Sequence, residues 1–159
     1  MTKAMKITEA LLAEHVVFHN LFDYVERAVP GIKTIAEIKG LAHLLGAMLE
    51  THSRVEDQLL IEPLEPSFSH LGQAENFHEE HEEIDRDLAK LRTTRRLPEA
   101  RKLLLSAVLL SRKHFDKEER IVFPLAERQL SAKSLALLGK RWEEQRTSPI
   151  AQAPIPMTA

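Results

Sequence analysis

The sequence predicts an all-α protein: an antiparallel up-down four-helix bundle, then a short C-terminal fifth helix and a disordered Pro-rich tail. Long segments repeat apolar residues at spacings of three and four, the period of an amphipathic helix. Leu, Ala, Glu, Lys and Arg dominate, with aromatics at 5% and only 5 glycines, a composition that disfavours an all-β sandwich. The connections between segments are short, as antiparallel packing of successive helices requires. At 159 residues and 43% apolar, the chain has the size and hydrophobicity of one globular domain, read as residues 1–146 with 147–159 as the tail.

The first helix is read between Thr8 and Val29 from the stripe Leu11, His15, Phe18, Phe22, Val25 and Val29, and Pro30-Gly31 closes it. Thr34 and Glu37 form a T-x-x-E capping box that opens the second. Its stripe is Ile38, Leu41, Leu45, Met48, His52, Val55, Glu56 and Leu59; Gly40 and Gly46 weaken it locally, and Pro63 and Pro66 are expected to end it. The third runs from near Gln73 to Leu91 with Ala74, Phe77, His81, Ile84, Leu88 and Leu91 on one side. The basic residues after it, Lys90, Arg92, Arg95 and Arg96, read as partners of the helix dipole rather than as a nucleic-acid loop. Pro98 suits the first turn of the fourth, whose stripe is Leu103, Ala107, Leu110, His114, Glu118 and Ile121, and Pro124 is expected to kink or break it. Ser131 then caps a fifth helix through about Arg146, containing Trp142 and expected to lie as a lid across one end of the bundle.

With no cysteine, the chain has no disulfide, thiolate metal site or thiol chemistry, so any metal must be held by nitrogen and oxygen donors. A net charge of -2, from 22 basic and 24 acidic residues, provides no field that attracts nucleic acid or anionic lipid. Inside the patterned region the longest uncharged run is Gly40 to Leu49, far short of the roughly 20 residues that span a bilayer. The opening MTKAMKITEALLAEH meets Glu9 and Glu14 before any adequate apolar stretch, unlike a signal peptide. A soluble, cytoplasmic protein with neither nucleic acid nor membrane as partner is therefore expected.

The chemistry lies in polar residues placed where a core should be. Of the 8 histidines, His15, His52, His81 and His114 fall on the apolar stripes, one per helix. A lone histidine on such a face is usually a satisfied core residue. Four, joined there by Glu56 and Glu118, would each need a partner in the interior, where an unpaired carboxylate costs several kcal/mol. A single metal site serves all six. Glu56 follows His52 by four and Glu118 follows His114 by four, about 40° apart on their helices, so each pair reaches one place. Carboxylates can bridge two ions while imidazoles take terminal positions, six donors are too many for one tetrahedral zinc, and the absence of thiolates favours iron or manganese.

Further candidates, as extra ligands or as partners that orient ring N–H groups, are His19, one turn after His15; Glu26, two turns beyond His19; and Asp85, four after His81. For Glu26 and Asp85 the competing reading is a hydrated bundle edge. His43 points away from His52 and His70 lies in a loop, so both read as structural; Asp57, Glu79, Glu82, Glu83 and Glu119 read as a solvated acidic face.

The segments AEH ending at His15, H-S-R-V-E from His52, F-H-E-E-H-E-E-I from Phe77 and H-F-D-K-E-E-R-I-V-F-P from His114 resemble a hemerythrin-like (HHE cation-binding) domain, collinear from about Ile7 to Glu127. The resemblance implies a non-haem pair of iron ions with an oxo or hydroxo bridge. It assigns His15 and His52 to one ion, His81 and His114 to the other, and Glu56 and Glu118 to both. Two departures separate the chain from reversible oxygen carriers. Phe77 stands four before His81 where they have histidine, leaving His78, three before and rotated about 60°, as a candidate ligand. The last motif is H-x-x-x-E rather than H-x-x-x-x-D.

The resemblance thus implies a protein that binds dioxygen or another small diatomic for oxygen binding or sensing, with Phe18, Phe22, Phe77 and Leu110 as an apolar wall and an electron donor the sequence does not name. The alternatives are a di-iron enzyme consuming peroxide or nitric oxide, or an iron-handling protein. A ferritin-like di-iron site would need E-x-x-H on two helices, and Glu75 to His78 is the only instance. A metal-free helical interaction module is the alternative of another class; the inward His and Glu residues argue against it.

Overall fold

The structure, a computed structural model, describes residues 4–69 and 74–147, with the side chains of 69 and 74–78 outside that set. Among the described residues every regular element is helical. Helix α1 (Ile7–Ala28) runs into one 3₁₀ turn at Val29–Gly31, where Pro30 and Gly31 stop it. Helix α2 (Ile35–Glu56) starts at Thr34 as expected, with the N-cap half of a capping box: the Thr34 hydroxyl accepts the Glu37 N–H at 3.3 Å and donates to the Glu37 carboxylate at 2.5 Å.

Pro63 and Pro66 do not end the second helix, contrary to expectation, and Pro124 does not break the fourth. After Glu56 the backbone widens into a π turn over Asp57–Ile61 and continues as α3 (Glu62–Ser69). Helices α4 (Ala74–Thr93) and α5 (Leu97–Lys117) follow, with Pro98 in the first turn of α5 as expected. A second π turn, Glu118–Val122, leads from α5 into α6 (Phe123–Gln129). In each π turn the last wide hydrogen bond, Glu62 N–H to the Asp57 carbonyl or Phe123 N–H to the Glu118 carbonyl, directly precedes a proline. The wider turn moves the carbonyl four residues back away from the pyrrolidine ring, relieving the clash by which proline normally breaks a helix.

Two apolar clusters hold the fold. One joins Phe22 and Val25 near the end of α1 to Ile38 and Leu45 of α2, Leu88 and Leu91 at the end of α4, and Ala100 and Leu104 at the start of α5. Helix ends meet helix starts in chain order, the antiparallel up-down arrangement. The other joins Ile7 and Leu11 of α1 to Leu60, Leu64 and Phe68, to Val122, Phe123 and Ala126, and to Leu135 and Leu138 of α7 (Ala132–Thr147). Between the clusters lies a band of buried polar side chains: His15, His52, Glu56, Ser111, His114 and Glu118.

Helix α7 begins where expected, Ser131 accepting the Ser134 N–H at 3.1 Å, but it is no lid across the bundle end. Gly139 faces the Met5–Lys6 backbone so closely that a Cβ would lie 2.0 Å from the Met5 carbonyl oxygen. Trp142 and Arg146 reach Glu14, farther along α1, so the helix runs beside α1 in the same direction. Leu135, Leu138 and Trp142 complete the second apolar cluster from the side, which seats α7 on the flank. No helix of the described residues is long and apolar enough to cross a membrane. The tail from 148 to 159 and the loop residue His70 lie outside the described residues.

Candidate metal centre

The six histidine and glutamate side chains on the inward stripes meet in the polar band. One donor atom from each of His15, His52, Glu56 and Glu118 lies within 4.8 Å of the other three, and the same holds for Glu56, His81, His114 and Glu118. The two groups share both glutamates. All are buried except His81, which is half-buried. Each glutamate stands where its helix passes into a π turn. Such turns recur at functional sites because the extra residue re-aims side chains without ending the helix.

Carboxylates from outside the band orient three of the four imidazoles. His15 Nδ1 donates to Glu119 at 2.9 Å, His52 Nδ1 to Glu14 at 2.6 Å and His114 Nδ1 to Glu80 at 2.7 Å. An Nδ1–H spent this way leaves Nε2 as the inward nitrogen, the tautomer a metal ligand needs. These carboxylates are held in turn. Glu80 accepts from Lys117 at 2.8 Å, and Glu14 from Trp142 at 2.9 Å and Arg146 at 2.6 Å. Burial pushes the Glu14 carboxyl up, but the hydrogen bonds from His52 and Arg146 outweigh it and hold it at about 2. The His114 hydrogen bond, with that of Lys117, lowers Glu80 despite its partial burial.

On the inward side the donor atoms crowd one another. His15 and His52 face each other Nε2 to Nε2 at 3.2 Å. With both Nδ1 hydrogens pointing outward this is a contact of two lone pairs, which a shared cation or a proton on one ring must relieve. Among the described residues, no well-aligned hydrogen bond reaches any oxygen of Glu56 or Glu118, although His114 Nε2 is 2.5 Å from Glu118 Oε1 and His15 Nε2 is 3.4 Å from Oε2. Burial and the Glu118 charge raise Glu56 well above the usual carboxylate range. Burial acts on Glu118 in the same direction, but the His114 and His15 imidazoles reverse it and hold Glu118 low. Burial opposes the His114 imidazolium, yet Glu118 and Glu80 raise it to about 9. Burial lowers His52. Nitrogen and oxygen donors with two shared carboxylates fit a pair of cations of the iron or manganese type.

Aromatic rings pack on His15 and His52, and a cavity of about 410 Å³ whose wall includes Phe18, Met48 and Arg146 reaches His52. Phe115 stacks on His15 at 3.9 Å with planes 3° apart, and Phe18 and Phe115 stand edge-on to His52 at 5.3 and 5.2 Å. Phe18 and Phe22 are buried as expected, and Leu110 is partly buried against the same cluster. The side chain of Phe77 lies outside the described residues. The other half is also reached from outside, and His81 there is half-buried. A cleft of about 210 Å³ between α2 and α4, lined by Glu50, Arg54, Asp57 and Asp85 among others, reaches His81 and His114.

Neither donor group contains the secondary candidates His19, Glu26 or Asp85. His19 Nε2 lies 3.4 Å from the same Glu119 oxygen that serves His15, and Arg112 approaches its Nδ1 at 3.3 Å. Glu26 pairs with Arg112 at 3.1 Å on the surface. Asp85 is exposed at the cleft rim, raised by partial burial and by Glu50. The His78 side chain lies outside the described residues, and His43 is exposed on the outer face of α2. Sequence reasoning missed Glu14, Glu80 and Phe115 and placed Glu119 on a solvated face. The available signal was adjacency: Glu14 precedes His15, Glu80 precedes His81, Phe115 follows His114 and Glu119 follows Glu118.

A family described as Hemerythrin HHE cation binding domain matches the chain over residues 6–126. No significant match was found among curated proteins or among solved structures.

Proposed function

Since the chain belongs to the hemerythrin HHE cation-binding domain family, we propose that the polar band holds two iron ions and that the protein binds dioxygen, or another small diatomic, for oxygen binding or sensing. The observation that carries this reading is the pair of overlapping four-donor groups sharing two buried glutamates. His15 and His52 would hold one ion and His81 and His114 the other, with Glu56 and Glu118 spanning both. A ferrous pair supplies electrons to a bound diatomic ligand.

The chain's own residues set the surroundings of that pair. Glu119, Glu14 and Glu80 hold the imidazoles in the ligating tautomer. Phe18, Phe115 and Phe123 pack on the buried His15 and His52 rings and give that side an apolar wall. An apolar wall favours reversible binding, because it disfavours delivery of the protons that would drive a bound ligand to react. The open cleft at His81 and His114 supports a second reading, a di-iron enzyme consuming a small polar oxidant such as peroxide.

The test is metal content with the visible spectrum, before and after anaerobic reduction and readmission of air. About two irons per chain and a dioxygen band that appears and reverses establish binding or sensing. Oxidation without a reversible band, together with turnover of peroxide, selects the enzyme. A purified chain that takes up no iron overturns both.

A further inference from the structure

We propose that α7 is a latch on the metal site: through Glu14 it holds the His52 imidazole in its ligating orientation, making Trp142 and Arg146 positioning residues for His52. The inference rests on the di-iron reading above and adds to it a helix outside the four-helix bundle.

The two oxygens of Glu14 are divided between the site and α7. Oε2 accepts the His52 Nδ1–H at 2.6 Å, while Oε1 accepts the indole N–H of Trp142 at 2.9 Å and the Nε–H of Arg146 at 2.6 Å. One carboxylate on α1 therefore ties a donor on α2 to two donors near the end of α7. The other oriented imidazoles differ: Glu119 holds His15 from the π turn after α5, and Glu80 holds His114 from α4. Of these three rings, His52 takes its orientation from a contact that α7 completes.

The arrangement constrains Glu14 where it would otherwise be loose. Its side chain is 16% exposed and lies, with Phe18, Met48 and Arg146, on the wall of a cavity of about 410 Å³. A carboxylate there gains by turning to water unless donors hold it. A guanidinium and an indole N–H on one oxygen hold it through a charge-assisted pair. Helix α7 is closely packed ahead of these donors, where Gly139 lies on the Met5–Lys6 backbone and Leu135 and Leu138 enter the core. The two donors therefore stay at fixed height along α1.

The test uses the full chain loaded anaerobically with ferrous iron, following iron release to a ferrous chelator, with helicity checked by circular dichroism. In a Trp142→Phe/Arg146→Met variant, one of the two irons is expected to leave about tenfold faster or more, the scale on which orienting partners affect metal affinity. The second iron leaves at the wild-type rate. Trp142→Phe/Arg146→Lys keeps a charged donor and restores most of the retention. In a Glu14→Ala background, which itself speeds release of that iron, the α7 substitutions add less than about twofold, because their effect passes through Glu14. Unchanged release from a double variant holding two irons overturns the latch alone. Equal acceleration with and without Glu14 also overturns it, since α7 would then act as general support. A wild-type chain that takes up no iron overturns the di-iron reading and the latch together.

Discussion

Replacing Glu56 by glutamine should move stability and metal binding in opposite directions. Glu56 is 0% exposed and, among the described residues, its oxygens accept no well-aligned hydrogen bond. Burial and Glu118 raise its carboxyl well above the usual range. In the metal-free chain at pH 7 this side chain is either a desolvated anion or protonated against its ordinary preference. Protonating a carboxyl with an ordinary pKa of about 4.3 costs at most ~3.7 kcal/mol at pH 7, a ceiling on what the substitution can recover. Glutamine has nearly the same volume, carries no charge and can donate an N–H to Glu118. Recovery of about half the ceiling, ~2 kcal/mol, is expected, or ~4–8 °C in melting temperature for a domain of this size.

The sign with pH comes from the direction of the shift. A group raised in the fold contributes stability that is fully present below its unfolded value and is lost as pH rises towards its folded one. The advantage of Glu56→Gln over wild type should therefore be near zero at pH 4 and grow towards pH 7. Thermal unfolding of both chains with chelator present, at the two pH values, measures it directly. Iron content of the same variant should fall below two per chain. A metal-free variant that melts no higher than wild type at pH 7 would refute the argument that Glu56 is a charge held for a metal.

Other perturbations test separate parts of the site. His114→Ala should lose at least one of the two irons and destabilise the metal-free chain by about 3 kcal/mol, because it strips buried Glu118 of its 2.5 Å partner. His43→Ala, at an exposed position, should stay within about 0.5 kcal/mol and keep both irons, as metal analysis and denaturant unfolding will show. Gly139→Ala places a methyl group against the Met5 carbonyl and should cost ~1–3 kcal/mol in denaturant unfolding; a neutral result would mean that α7 does not dock there. Phe115→Ala removes the ring stacked on His15. It should cost ~3–5 kcal/mol and speed oxidation of ferrous-loaded protein in air, and an unchanged oxidation rate would show that Phe115 does not exclude water.

Much of the centre was legible because its residues obey a local period. His15, Phe18, Phe22 and Val25 read as one stripe and are all buried. His52 with Glu56 and His114 with Glu118 read as neighbours because four residues make about one turn of helix. The same rule failed past the glutamates. Each π turn inserts a residue, so Leu60 and Ile61 are buried beside Leu59, and Val122 and Phe123 are buried where Ile121 was read on the stripe. The fourth stripe keeps Ala107, His114 and Glu118 buried but extends to one side of its reading: Leu104, Val108, Ser111 and Phe115 are buried too, with Leu103 and Leu110 at its margin. Apolar residues occur on both sides of α5, and only contact with the other helices chooses between them.

The sequence by itself determined the helical class, the N-cap at Thr34, and the placing of six potential donors on inward stripes, because each depends on residues within a few positions of one another. The tertiary structure decided which carboxylates orient the rings. Those hydrogen bonds join residues 104, 38 and 34 positions apart, from His15 to Glu119, His52 to Glu14 and His114 to Glu80. It also laid α7 along α1 rather than across the bundle end. Long-range pairs form only after helix rotation and height are set by packing two apolar clusters against each other, and no local period carries that information.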